Sequence, residues 1–284
     1  MSKFTYTGFS DEIDENIEKQ FEHLNKLGIN YFEPRGVNGK NISSLDDKEA
    51  EELKEVMNKH NIKVSSIGSP IGKIKITDDF DEHMKLLERT VRTAKILGAK
   101  HIRIFSFYIP EGEDYYKYTD EVMRRMKVMT EYAKKNDIIL LHENEKGIYG
   151  DIAVRCEEIL KTVNSEYLRA VFDPANFVQC GQVTYPNAFK LLKPYVVYMH
   201  IKDALTNGDV VPAGYGEGHV EEILTELYNE GYNGFLSLEP HLGSFKGLEN
   251  LETDDHMLEL EGSTPEKFTL AYESLKKIVD KIEG

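Results

Sequence analysis

The stretch IILLHE, at residues 138–143, is an apolar run that ends on a histidine and a glutamate, and YVVYMHI, at residues 195–201, encloses another histidine. Nearly continuous apolar runs of this length are typical of parallel strands that are buried on both faces. Shorter runs of the same kind alternate with helical patterns along the rest of the chain, which predicts eight strand–helix units. The strands are predicted at residues 4–9, 29–33, 63–68, 101–107, 138–143, 168–173, 195–202 and 235–239.

Between these runs, apolar residues recur at intervals of three and four, which is the spacing of one face of a helix. The clearest pattern runs from Phe80 to Ala94 and stops before Gly98, a residue type that commonly ends helices. Strong helical patterns begin at Ile17, Phe80, Val220 and Phe268, and weaker ones cover residues 45–60, 118–135, 152–163 and 186–192.

Eight such units favour a closed α/β fold, the (β/α)₈ TIM barrel. The competing arrangement is an open doubly wound sheet, but no GxGxxG motif follows the first strand. No break in composition marks a linker, so we expect a single domain over residues 1–284. The stretch 241–267 is longer than an ordinary loop and is either a lid or a packed or disordered excursion.

The formal charge of −15 disfavours binding to nucleic acid or to an anionic membrane surface. It leaves a small anionic substrate open, because a local cation can invert the field inside a pocket. The first residues lack the pattern of a signal peptide, and no apolar run approaches the length of a membrane span, so we expect a cytoplasmic protein. Cys156 and Cys180 form neither a disulfide framework nor a CxxC pair.

Four consecutive predicted strands each deliver a side chain that can bind a metal ion. These are Glu143, Asp173, His200 and Glu239, on strands five to eight. The carboxyl ends of parallel barrel strands share one rim, where function gathers in this fold. Taken singly, each residue has a structural explanation. An aspartate before proline is typical of a turn, a glutamate at a strand end is typically solvated, and a histidine in an apolar strand typically packs in the core.

As a set, the four residues favour a metal site. Three buried carboxylates close together would cost several kcal/mol in lost hydration and mutual repulsion, and a divalent cation removes that cost. Three oxygen ligands and one imidazole suit Mn²⁺, Mg²⁺ or Co²⁺, with Zn²⁺ less typical. We expect one divalent ion, with Mn²⁺ favoured.

Residues near these strand ends are candidates for binding substrate or supporting the ligands. Lys202 can hold a substrate oxygen and Asp203 can orient His200 or Lys202, with a surface ion pair as the alternative. His241, just after the eighth strand, can line the pocket. The glycine-rich loop PAGYGEGH, at residues 212–219, precedes a helix, so its amides either cradle a phosphate or form a plain turn.

Charged residues in other strands leave two interpretations open. Arg103 lies among apolar neighbours, and a buried arginine needs a partner, so it meets either a carboxylate inside the barrel or the substrate. Glu33 and Arg35 end the second strand and either form a structural salt bridge or reach the substrate. His142 and Glu145 flank the glutamate of the fifth strand and are assigned to packing or solvent.

At these residues the sequence resembles the xylose isomerase-like TIM barrel superfamily, and within it the sugar phosphate isomerase/epimerase family that includes ketose 3-epimerases. The resemblance covers nearly the whole chain and is strongest over residues 141–241. The motifs that carry it are HENEKGIYGD, FDPANF, HIKDA, PAGYGEGH and LSLEPH. The metal set of the family lies on strands five to eight and corresponds in order to Glu143, Asp173, His200 and Glu239.

The resemblance implies a metal-dependent isomerase or epimerase for a sugar or sugar phosphate. It implies that Glu143 and Glu239 carry protons on opposite faces of the substrate and that the reaction passes through a metal-bound enediolate. Where the family often has Asp-x-x-His on strand six, this chain has Asn176, which can hydrogen-bond a substrate hydroxyl but cannot titrate. Assembly as a dimer or tetramer is left open.

Three alternatives remain at this point. A lyase similar to inosose dehydratases would use the same proton abstraction and differ only in the loss of hydroxide. An endonuclease IV-type DNA repair enzyme would need further histidines on strands three and four. These strands end in KVSSIGSP and IRIFSFYIP, which place no histidine at the rim. A sugar-binding barrel without catalytic activity would bind ligand without turnover.

Overall fold

The computed structural model describes residues 4–243 and 261–284. In this part of the chain, eight short parallel strands alternate with helices and surround one axis. The strands are β1 (Thr5–Gly8), β2 (Tyr31–Phe32), β3 (Lys63–Val64), β4 (His101–Ile104), β5 (Ile139–Glu143), β6 (Leu168–Phe172), β7 (Val196–Ile201) and β8 (Phe235–Leu238). The helices are α1 (Ile17–Lys26), α2 (Asp47–His60), α3 (Phe80–Leu97), α4 (Thr119–Lys135), α5 (Ala153–Val163), α6 (Pro174–Gln179), α7 (Phe189–Leu192), α8 (Val220–Asn229) and α9 (Pro265–Glu283).

Backbone hydrogen bonds close the strands into a barrel. Six of them form one parallel sheet in the order β1-β8-β7-β6-β5-β4, and β2 pairs with β3. The Glu33 N–H donates to the Gly8 carbonyl at 2.9 Å, which joins β2 to β1. The Arg103 N–H donates to the Ile67 carbonyl at 2.9 Å, which joins β4 to the segment after β3. The predicted TIM barrel is therefore confirmed.

Each predicted strand is present but shorter than expected. The second ends early because Pro34 follows it, and proline has no N–H to continue a ladder. The predicted helices are also present, and local chemistry sets their ends. Asp46 and Glu49 form a capping box at the start of α2, and Gly98 ends α3 in the left-handed conformation at φ 80°.

Helix α6 was not predicted. Asp173 is its N-cap and accepts a hydrogen bond from the Asn176 N–H, while Pro174 occupies the first turn. This arrangement turns the chain sharply at the end of β6. It holds the Asp173 carboxylate at the rim of the barrel.

The apolar core lies mainly between the barrel and its helices, whereas polar side chains occupy part of the barrel axis. The Glu33 carboxylate accepts hydrogen bonds from the Tyr198 hydroxyl at 2.8 Å and the Ser237 hydroxyl at 2.7 Å. Ser65 continues this series of hydrogen bonds through contacts with the hydroxyls of Tyr198 and Thr7. The interior of the barrel below the carboxyl ends of the strands therefore contains a hydrogen-bonded network of buried polar side chains.

The expected excursion at residues 241–267 lies mostly outside the described residues. Its described end enters α9, which Thr264 caps through the Lys267 N–H. Among residues 4–243 and 261–284, no helix is both long enough and apolar enough to span a membrane.

Candidate metal centre

The four residues at the ends of strands β5 to β8 meet at one point of the barrel rim. Glu143 is the last residue of β5, Asp173 and Glu239 directly follow β6 and β8, and His200 lies in β7. Each residue offers one ligand atom, and these atoms lie within 4.8 Å of one another. All four side chains are buried. Side chains up to 96 positions apart in sequence thus form a single cluster.

His200 is held between two glutamates. Its Nδ1 lies 2.8 Å from Glu143 Oε1, and its Nε2 lies 3.3 Å from Glu33 Oε2. Burial opposes the charged imidazole, but the adjacent carboxylates of Glu143 and Glu33 hold the pKa of His200 well above its usual value. A carboxylate behind a ligating histidine commonly fixes the orientation of its ring. Glu33 is placed for that role, with Nδ1 facing the cluster.

Two buried oxygens of the cluster, Glu143 Oε2 and Asp173 Oδ2, accept no hydrogen bond within the described residues. Each faces a cationic side chain instead, Arg103 at 3.3 Å and Lys202 at 3.2 Å. Burial raises the pKa of Asp173 to about 7, with Lys202 opposing this shift and Glu239 and Glu143 adding to it. Buried oxygens of this kind are rare unless an ion or water completes them. Three carboxylates and one imidazole therefore fit a divalent cation such as Mn²⁺, Mg²⁺ or Zn²⁺.

Two cationic side chains, Lys202 and Arg103, lie directly beside the carboxylates of the cluster. Lys202 Nζ lies 3.2 Å from Asp173 Oδ2 and 3.3 Å from Glu239 Oε2. A guanidinium nitrogen of Arg103 lies 3.3 Å from Glu143 Oε2 and 3.8 Å from Glu239 Oε1. Burial alone would raise the pKa of Glu239, but the positive charges beside it, Lys202 foremost, hold it well below its usual value. The sequence left two partners open for Arg103, a carboxylate inside the barrel or the substrate, and the structure shows the carboxylates of Glu143 and Glu239.

A further polar layer lies behind Glu239. Arg35 donates to Glu239 Oε1 at 3.2 Å and to the carboxylates of Asp11 and Glu12. His241 Nε2 lies 3.3 Å from the same guanidinium and 3.4 Å from Glu239 Oε1. Burial raises the pKa of Glu12 to about 8, although Arg35 opposes this. Arg35 and His241 therefore help to position Glu239, and a role for either residue in binding substrate stays a prediction.

Asp203 is engaged elsewhere. Its carboxylate accepts backbone N–H bonds from Ala204, Gly214, Gly216 and Gly218 at 2.8 to 3.0 Å. A Cβ at Gly216 or Gly218 would lie 2.4 or 2.6 Å from Asp203 Oδ1, so glycine is required at both positions. The carboxylate of Asp203 thus holds the loop, and its expected role in orienting His200 or Lys202 stays a prediction. The loop amides that could have cradled a phosphate are bonded to it.

Asn176 lies at the start of α6, and its side chain is directed towards β5. Its Nδ2 donates to the Asn144 carbonyl at 2.9 Å, and Asn144 in turn exchanges two hydrogen bonds with the Asp173 backbone. Asn176 thus helps to hold Asp173 in place. Substrate contact by its amide stays a prediction.

Several residues of the site were missed or undervalued in the sequence. Lys73 follows β3 and pairs with Glu145 at 3.0 Å, and its side chain is 6% exposed. Glu145 had been assigned to packing or solvent. The sequence around Lys73 does not indicate this ion pair, because the partner Glu145 lies 72 positions away. Asn144, by contrast, could have been found, since it directly follows a predicted ligand.

The comparisons with known proteins agree with this geometry. The family model described as xylose isomerase-like TIM barrel matches residues 21–260. The chain therefore belongs to the xylose isomerase-like TIM barrel family, as its motifs predicted. Comparison with curated proteins found no significant match.

Several solved structures share the fold. An IolI protein with a bound zinc atom has a TM-score of 0.77 at 18% identity, covering 98% of this chain and 99% of that one. A D-tagatose 3-epimerase-like protein has a TM-score of 0.75 at 17% identity, covering 99% and 98%. The probable 3-DHS dehydratase AsbF from Bacillus anthracis has a TM-score of 0.69 at 17% identity, covering 83% and 92%. At these identities the likeness establishes the fold.

Proposed function

We propose that this protein is an isomerase or epimerase of uncharged sugars or cyclitols that requires one divalent metal ion, with Mn²⁺ as the favoured ion. The observation that carries the proposal is the buried cluster of Glu143, Asp173, His200 and Glu239, whose ligand atoms lie within 4.8 Å of one another. The resemblance of the surrounding motifs to ketose 3-epimerases supports the reaction class.

The bound ion would act as a Lewis acid that makes the carbon-bound proton beside a substrate carbonyl more acidic. Glu143 and Glu239 come from strands that are not neighbours in the barrel, β5 and β8. One carboxylate removes the proton and the other returns it. Return to the opposite face of the same carbon gives an epimer, whereas return to the adjacent carbon gives an isomer.

The cations around the cluster fix the orientation of these glutamates. Arg35 donates to Glu239 Oε1, whereas Oε2 lies 3.3 Å from Lys202 Nζ and 3.6 Å from His200 Nδ1. Arg103 lies between Glu143 and Glu239, with one guanidinium nitrogen near both. This guanidinium can stabilise negative charge that develops on a substrate oxygen during enolisation.

Charge pairing supports an uncharged substrate. Each cationic side chain at the cluster contacts a carboxylate of the chain: Arg35 contacts Asp11, Arg103 contacts Glu143, Lys73 contacts Glu145, and Lys202 contacts Asp173. The glycine-loop amides are bonded to Asp203. A phosphate group at these four cations would compete with the carboxylates that they already contact.

The test is proton exchange in deuterated water. The purified protein, loaded with Mn²⁺, is incubated with a panel of free ketoses, inososes and sugar phosphates, and products are examined by mass spectrometry and NMR. We expect a free ketose or inosose to gain deuterium beside its carbonyl. Turnover of any substrate without deuterium incorporation would refute the enolisation mechanism, and loss of water would instead identify the dehydratase alternative.

Variants sharpen the test. Glu143→Gln and Glu239→Gln each remove a proton carrier, so we expect exchange to fall by at least about 10²-fold. Glu88→Gln makes the same chemical change at an exposed position on α3 and should leave exchange unchanged. Metal content is measured for each variant, because a glutamine that also loses the ion would lower exchange indirectly.

A further inference from the structure

The ammonium group of Lys202 lies inside the ligand cluster. Lys202 directly follows β7, and its side chain is 5% exposed. Its Nζ lies 3.2 Å from Asp173 Oδ2 and 3.3 Å from Glu239 Oε2. The lysine therefore bridges two of the four residues that would bind the metal.

The two oxygens that Lys202 contacts are also the ones best placed to bind the ion. The other oxygen of Asp173, Oδ1, accepts the Asn176 N–H at 2.9 Å. The other oxygen of Glu239, Oε1, accepts a hydrogen bond from Arg35 at 3.2 Å. Oδ2 and Oε2 are therefore the oxygens that a metal ion on Asp173 and Glu239 would use with least disturbance of these bonds.

A metal ion on these oxygens would share them with the ammonium of Lys202, whose Nζ already lies 3.2 Å and 3.3 Å from them. In a buried site the repulsion between the two positive charges is only weakly screened. This repulsion disfavours binding of the ion while Lys202 stays in its present position.

We propose that Lys202 is an internal counter-ion that neutralises Asp173 and Glu239 when no metal ion is bound and is displaced from these two carboxylates when the ion binds. The inference rests on the metal site of the proposed function. It makes Lys202 a competitor of the ion for the two carboxylates.

The test compares metal binding by the wild type and by Lys202→Met, which keeps the length of the side chain and removes its charge. Isothermal titration calorimetry with Mn²⁺ gives the dissociation constants, and thermal unfolding gives Tm with and without the ion. Without the competing ammonium, we expect Lys202→Met to bind Mn²⁺ about tenfold or more tightly, and to show a larger metal-dependent rise in Tm.

Two controls separate charge at this position from charge in general. Lys202→Arg keeps a positive charge beside the two carboxylates and should not gain affinity. Lys127→Met removes a positive charge from an exposed position on α4 and should bind Mn²⁺ as the wild type does. Equal or weaker binding by Lys202→Met would refute the counter-ion role while leaving the metal site intact.

A measurement on the wild type covers the case in which Lys202→Met does not fold. In protein labelled with ¹⁵N-lysine, the Nζ resonance of Lys202 is assigned by its loss in Lys202→Arg. We expect this resonance to shift when Zn²⁺, which is diamagnetic, saturates the site. An unchanged resonance in zinc-loaded protein would refute the displacement, and failure of the wild type to bind any divalent ion would refute the proposed function as well.

Discussion

Replacing Asp203 by asparagine tests what holds the glycine-rich loop at residues 212–219. The carboxylate accepts four backbone N–H bonds, two on each oxygen. Asparagine keeps one oxygen and places an amide NH₂ against two of the donors. The amide oxygen is expected to face the buried N–H groups of Ala204 and Gly218, so the part-buried donors Gly214 and Gly216 lose their acceptor.

The expected loss of stability follows from those two bonds. Hydrogen bonds to a charged acceptor contribute roughly 1.5–3 kcal/mol each. The lower end applies here, because the two N–H groups that lose their acceptor are part-buried and can reach water. We therefore expect Asp203→Asn to lower the free energy of unfolding by about 3 kcal/mol.

The assay is urea unfolding followed by circular dichroism, with the wild type and Glu88→Gln measured in parallel. Glu88 is exposed on α3, so the same carboxylate-to-amide change there should shift the free energy of unfolding by less than about 0.5 kcal/mol. A loss below about 1 kcal/mol for Asp203→Asn would show that the loop does not depend on this carboxylate.

Two further predictions concern stability. Gly72 has φ +90°, and a Cβ there would lie 2.1 Å from the Phe105 carbonyl oxygen, so Gly72→Ala should lower the free energy of unfolding by about 3 kcal/mol. Gly28→Ala, at φ +75° with open space around it, should cost about 1 kcal/mol, and equal losses would contradict the clash. Burial, with Arg125 nearby, lowers the pKa of His83 to about 4, and its Nε2 accepts the Gly72 N–H. In the unfolded chain the imidazole of His83 has its ordinary pKa of about 6.5. The free energy of unfolding should therefore be highest above that pH and decline by up to about 3 kcal/mol as the pH falls towards 4. His83→Gln should flatten this decline in urea titrations.

The repeating units were predictable because their signals are local. Buried parallel strands need apolar residues on both faces, and helices need them every three or four positions, so each unit is marked in its own few residues. The strand ends were less predictable, since Pro34 and the pairing partners decide where a ladder stops. Helix α6 was overlooked although Asp173 and Pro174 are a recognisable start signal.

The ligand cluster was predictable for a geometric reason. In a parallel barrel every strand ends at the same rim, so residues able to bind a metal at the ends of four consecutive strands could be assigned to one place. The side chains that position these four residues could not be predicted in the same way. Glu33 lies 3.3 Å from His200 although β2 and β7 are not neighbouring strands, and no sequence spacing expresses that relation.

From the sequence alone came the barrel and the positions of Glu143, Asp173, His200 and Glu239, because both follow from local periodicity and from the shared polarity of the strands. The tertiary structure alone decided which charges are paired. Arg35 meets Glu239 across 204 positions, and Asp203 turns away from the cluster to bind loop amides. Such pairings depend on distances between side chains from separate units, which closure of the barrel sets.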